Sequence, residues 1–142
     1  MEKEKKENLI SQFKAKCRNN SLKVTPQRTI IYEELVGSRE HPSVDILYRK
    51  VKDRLPDISF DTVYRTLTTF FDLGIASVVE GVCNSKRFEG NTENHYHFIC
   101  TKCGKIIDID EVVFDFDIPD TVEKKFRPRN VRVIFEGNCP SC

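Results

Sequence analysis

The chain has 142 residues and a net charge of +1 from 23 basic and 22 acidic side chains, a size that suits one ordinary domain or two small ones. Balanced charge excludes a protein that binds nucleic acid with its whole surface, so any DNA contact has to be local. No run approaches membrane-spanning length and the start, MEKEKKENLISQF, lacks an apolar signal core, so a cytoplasmic protein with no membrane partner is expected; there, six cysteines point to metal ligands or redox thiols rather than disulfides.

In ENLISQFKAKCRNN, Leu9, Ile10, Phe13 and Cys17 recur at helical spacing and predict an amphipathic helix. The charged MEKEKKE before it reads as a solvated helix start or frayed tail. KVTPQRTIIYEELVG predicts a second helix, with Thr25 as N-cap, Pro26 in the first position and Gly37 at the stop. HPSVDILYRKVKDRLP predicts a third, capped by Ser43, with Val44, Leu47 and Val51 on its apolar face and Pro56 closing it. ISFDTVYRTLTTFFDLG predicts a fourth, with Phe60, Val63, Leu67, Phe70 and Phe71 facing inward and Gly74 as its stop. Two short strand-like runs follow, IASVVEG and CNSKRFEG, joined by a turn around Gly81, Asn84 and Ser85. Helices followed by a β-hairpin are the order of a winged helix-turn-helix.

The polar GNTEN, residues 90–94, reads as a hinge. Beyond it come two strands around a CxxC, a short helix near Thr121–Phe126, and the strand NVRVIFEG leading to CPSC. The fold class expected is α+β: a winged-helix DNA-binding domain over 1–90, a hinge over 91–96, and a small α/β domain over 97–142. Residues 1–90 hold 16 Lys/Arg against 13 Asp/Glu and residues 91–142 hold 7 against 9, a mild asymmetry that fits two modules.

The stretch HYHFICTKCGKIIDID, residues 95–110, concentrates two His, two Cys and two Asp. On an extended strand His95 and His97 share a face, whereas Cys100 points to the opposite side. The ligands therefore fall into two sets. If Cys100 pairs with Lys105 across the hairpin, the register puts His97 opposite Asp108, with Cβ atoms about 5 Å apart, and turns Ile107 and Ile109 into a core. Cys100 and Cys103 together with Cys139 and Cys142 make two CxxC pairs, the four-thiolate donor set of a structural zinc site. A thioredoxin-like redox pair is the rival, but neither CxxC opens a helix after a strand. Cys17 reads as a small buried hydrophobe and Cys83 as a wing residue. Imidazole with carboxylate suits iron(II), manganese(II) or zinc. Taken alone, His-x-His also fits two surface histidines on an edge strand, and His41 an ordinary loop histidine.

The pattern resembles the ferric uptake regulator (Fur) family over nearly the whole chain, in LKVTPQR (22–28), REHPSVDILY (39–48), ISFDTVYRTL (58–67), RFEG (87–90), HYHFICTKCGKIID (95–108) and the terminal CPSC. The resemblance implies a homodimeric, metal-dependent transcriptional repressor that binds double-stranded operator DNA, takes no organic substrate and is not an enzyme. Carried over, structural Zn(II) falls on Cys100, Cys103, Cys139 and Cys142, and regulatory Fe(II) or Mn(II) on His41, Glu89, His95, His97 and Asp108. Asp108 and the NHYH run resemble the peroxide-sensing repressors of the family, which implies oxidation of His41 or His95 to 2-oxo-histidine; Glu89 stands where those repressors usually carry Asp. The DNA contacts implied are Tyr64, Arg65 and Lys23; the apolar face of the fourth helix leaves Thr62 outward as a further contact, and Arg28 is expected to join them. Other readings of the same residues are a reversible iron- or manganese-responsive uptake repressor and a zinc hydrolase, the latter without an identifiable general base.

Overall fold

The structure is a computed structural model that describes residues 2–38, 41–81, 85–90, 96–109, 117–126 and 132–142. It divides into two compact units, Met1–Thr92 and Glu93–Cys142. Among the described residues no helix is long and apolar enough to cross a membrane.

The N-terminal unit comprises α1 (Glu2–Asn19), α2 (Pro26–Gly37), α3 (Val44–Arg54) and α4 (Phe60–Asp72), then the hairpin strands β1 (Ser77–Glu80) and β2 (Lys86–Glu89). Helix α1 starts at Glu2, so the charged residues 2–7 are helical. The starts of the next three helices follow their caps: Thr25, Ser43 and Ser59 each accept a backbone N–H three residues on, from Arg28, Ile46 and Thr62. Helix α4 ends in a Schellman turn, in which Gly74 at φ 71° lets Ile75 N–H reach Phe70 O and its own N–H reach Phe71 O.

The core of this unit is built on an aromatic nucleus. Phe13 of α1 stacks on Tyr32 of α2 with centroids 4.3 Å apart, and Phe70 of α4 meets Phe13 edge-on at 5.4 Å. Leu35, Leu47, Val51, Val63 and Leu67 close around it, each worth roughly 1.5–3 kcal/mol of buried apolar surface. The expected face of α4 needs correction at both ends: Val63, Leu67 and Phe70 are buried, whereas Phe60 and Phe71 are 43% and 45% exposed. At about 100° per residue those two positions lie on the flank of the stripe set by the other three. Phe60 packs edge-on against Tyr48 of α3 instead.

In the wing, β1 and β2 pair antiparallel with Ser77 opposite Glu89, and Gly81 N–H to Ser85 O closes the near side of the turn. Gly90 follows Glu89 because there is no room for a side chain: a Cβ there would lie 2.5 Å from Val36 Cγ1 of α2.

The C-terminal unit holds β3 (Tyr96–Cys100), β4 (Ile106–Ile109), α5 (Asp120–Lys125) and β5 (Ile134–Gly137), with strand order β4-β3-β5. β3 and β4 form an antiparallel hairpin that pairs His97 with Asp108, and Cys100 N–H donates to Lys105 O. The buried isoleucine of β4 is Ile106, while Ile107 and Ile109 are half-buried. The alternation of KIIDID is as expected, but its covering is not: the best-covered residue shares a face with Asp108, because it sits at the turn end of the hairpin, next to the buried Ile99 of β3. β3 and β5 run parallel with Cys100 opposite Gly137.

Candidate metal centres and nucleic-acid helix

The parallel pairing of β3 with β5 brings the two CxxC motifs to the same end of the sheet. Thr101 N–H donates to Gly137 O at 2.8 Å, and Gly104, at φ 77°, closes the knuckle with its N–H on Cys100 O. The sulfurs of Cys100, Cys103, Cys139 and Cys142 all lie within 4.8 Å of one another. Cys103 Sγ and Cys139 Sγ are 3.7 Å apart, against about 3.8 Å for two thiolates at tetrahedral positions on zinc with 2.3 Å bonds. Two backbone N–H groups, of Cys103 and Cys139, point at Cys100 Sγ from 3.5 and 3.3 Å. Those donors lower the Cys100 thiol to about 6 against the opposing effect of burial. Cys142 is pushed up to about 12, because its proton is shared with Cys139 and then with Cys103. Donor number, softness and spacing fit a closed zinc site and leave no position for a substrate.

Among the described residues, a second kind of donor occurs as one His–carboxylate pair in each unit. In the N-terminal unit, His41 lies in the link between α2 and α3 with its backbone at φ 29°, a left-handed conformation that costs a non-glycine residue about 1–3 kcal/mol. The next residue holds it there: Pro42 O accepts the N–H of Phe88 from β2 at 2.9 Å. One residue further along β2, Glu89 Oε2 stands 3.0 Å from His41 Nε2, and both side chains are buried. In the C-terminal unit, the hairpin register sets His97 Nε2 3.4 Å from Asp108 Oδ1. Nitrogen with hard oxygen donors suits iron(II), manganese(II) and zinc. His95 lies outside the described residues, as does Cys83.

Helix α4 turns its other face to solvent. Tyr64 is 46% exposed, and Arg65 projects outward with Nε 2.9 Å from Asp61 Oδ2. Thr62 Oγ1 lies 2.8 Å from Ser59 Oγ, and Thr66 and Thr69 donate their hydroxyls back to the carbonyls of Thr62 and Arg65. Hydroxyls turned onto the helix leave the threonine methyls as the more available groups. Lys23 is exposed in the link between α1 and α2, and Arg28 donates through Nη1 to Lys23 O at 2.6 Å, so its guanidinium braces that link. The i,i+4 spacing of Asp61 and Arg65 makes this pair legible in the sequence as well.

Comparison with known proteins agrees over the length of these elements. The profile of the ferric uptake regulator family matches residues 19–135. The peroxide-responsive repressor PerR of Staphylococcus epidermidis is 41% identical over 115 residues, covering 73% of this chain and 77% of that one. PerR of Staphylococcus saprophyticus is 37% identical over 131 residues, covering 88% and 85%. The peroxide stress regulator of Campylobacter jejuni superposes with a TM-score of 0.68 at 31% identity, over 82% of this chain and 89% of that one. On that match and those identities, the chain belongs to the ferric uptake regulator family of metal-responsive repressors.

Proposed function

We propose that the protein is a homodimeric, cytoplasmic repressor that binds operator DNA when a regulatory metal is present and releases it when hydrogen peroxide oxidises a metal-ligating histidine. The observation that carries the reading is the division of His–carboxylate pairs between the two units, His41 with Glu89 and His97 with Asp108. One ion held by these four side chains and His95 would couple the winged helix to the C-terminal unit. It would favour the arrangement in which both winged helices of a dimer reach adjacent half-sites. Names and identities of the staphylococcal relatives support the peroxide branch.

When bound, iron(II) would supply one-electron redox chemistry toward peroxide and regain its electron as the imidazole is oxidised, whereas manganese(II) would fill the site without that reactivity. The protein's own part is to hold an imidazole against the ion. His41 is suited to this because its backbone is strained and pinned by Pro42 and Phe88, so the ring keeps its place. Insertion of one oxygen atom at the imidazole carbon between the nitrogens, with peroxide reduced to water, yields 2-oxo-histidine, a poorer ligand. The two units then uncouple. The four cysteines hold zinc through this cycle and keep the C-terminal unit folded. That unit leaves Ile118, Phe126, Ile134 and Phe135 exposed, an apolar set that a second copy would cover.

For DNA, α4 offers Thr62, Tyr64 and Arg65 to the major groove, with Lys23 and Arg28 near the backbone. The test loads the zinc-containing protein anaerobically with iron(II), adds a few equivalents of peroxide, and maps added oxygen by peptide mass spectrometry beside operator binding. One added oxygen on His41 or His95, absent with manganese(II) and accompanied by release of DNA, is expected. Unmodified histidines with binding that only tracks metal concentration would make it a metal-uptake repressor, a reading that Glu89, one methylene longer than Asp, also suits.

A further inference from the structure

Arg65 stands on the outer face of α4 with its side chain 78% exposed, and Asp61, one turn earlier and 67% exposed, meets it at Nε over 2.9 Å. Which nitrogen is engaged decides what the arginine can still do. A guanidinium carries five N–H donors, one on Nε and four on the two Nη groups that form its terminal fork. Bidentate recognition of guanine matches two donors to O6 and N7. With Nε set 2.9 Å from the Asp61 carboxylate, the donor pair left clear of it is the terminal fork. The carboxylate also lies on the surface turned to DNA, where its charge opposes phosphate oxygens.

An acidic residue in the first turn has an ordinary role as well, since it faces the positive end of the helix and stabilises it. That role would be filled by a carboxylate at any first-turn position and does not require contact with Nε. Resting on the reading of α4 as the DNA-contacting helix, we infer that Asp61 is a specificity-determining residue, which orients Arg65 so that its fork meets a guanine end-on and disfavours contact with phosphate. Because the pair is exposed and weak, it biases Arg65 and does not lock it.

The test uses the full chain loaded with manganese(II), as wild type, Asp61→Asn, Arg65→Gln and the double variant. Each is titrated with a duplex selected from a randomised pool by the wild type, with the same duplex carrying adenine in place of each guanine in turn, and with a scrambled duplex across a salt series. In Asp61→Asn, preference for guanine at one position falls by roughly threefold to tenfold. Binding to the scrambled duplex tightens, and its salt slope steepens by about one unit as a phosphate contact is gained. In the Arg65→Gln background the loss of guanine preference and the extra salt slope disappear, leaving only the tightening due to relief of Asp61's own repulsion. An unchanged guanine preference in Asp61→Asn, or equal changes in both backgrounds, overturns the inference and leaves Asp61 a helix-stabilising or simply repulsive charge. Should Arg65→Gln itself bind the selected duplex as well as wild type, the reading of α4 fails. Weakened Arg65→Gln beside a silent Asp61→Asn sinks the inference alone.

Discussion

Gly90 shows how a single missing atom places a candidate ligand. Its position beside Val36 Cγ1, 2.5 Å from where a Cβ would stand, lets β2 run close to α2 and deliver Glu89 to His41. Val36 is β-branched and cannot swing aside freely. Gly90→Ala is therefore expected to destabilise the N-terminal unit by about 1–3 kcal/mol in denaturant melts and to weaken manganese(II) binding by isothermal titration. Adding Val36→Ala removes the clash and should recover much of both; if it recovers neither, the close approach is not what positions Glu89. Cys17 gives a second residue-scale expectation. Burial pushes its thiol up, against a smaller downward pull from Arg28, and it is fully enclosed beside Phe13 and Tyr32. Neutral and inaccessible thiols are poor nucleophiles, so mass spectrometry should find Cys17 unalkylated in the native protein and modified once denaturant is added. Helical spacing alone marks Cys17 as apolar, whereas no local pattern shows that a hydrogen of Gly90 points at Val36.

Among the elements, helix starts were the most legible features, because a cap and the bond it accepts lie three residues apart. The Ser59 hydroxyl accepts Thr62 N–H at 3.1 Å and the Ser43 hydroxyl accepts Ile46 N–H at 3.4 Å. Ser59→Ala should lower stability by about 1 kcal/mol and Ser43→Ala by less, the longer bond being the weaker; an inverted order in urea midpoints would show that cap geometry does not govern these ends. The apolar face of α4 was less legible. Five hydrophobic residues fit one stripe on paper, yet only Val63, Leu67 and Phe70 are buried, since α3 covers the flank only far enough for Phe60 to meet Tyr48 edge-on. In the C-terminal unit the hairpin count placed His97 opposite Asp108, but the covered isoleucine proved to be Ile106. Alternation tells which residues share a face, and packing decides how deeply each is covered.

At the scale of the molecule, the two units differ in what holds them together. The N-terminal unit has an aromatic and aliphatic core drawn from all four helices. Among the described residues the C-terminal unit has a three-stranded sheet and the short helix α5, a fragment of the size that usually needs a metal, disulfides or a partner. Structural zinc in small domains contributes on the order of 10 kcal/mol to folding. Stripping zinc with a strong chelator should therefore abolish amide protection across β3, β4 and β5 while α2 to α4 keep theirs, as followed by hydrogen exchange. Uniform loss in both units, or retention in both, would mean that the thiolate cluster is not the staple of the second. Element types and donor chemistry were legible in the chain, because caps, periodicity and ligand softness are properties of a few neighbouring residues. Packing in three dimensions set the rest: β5 lies parallel to β3 and so joins CTKC to CPSC, Phe88 pins Pro42 behind His41, and Gly90 abuts Val36. Those contacts link residues far apart in the chain, and their partners are selected by packing that no local pattern encodes.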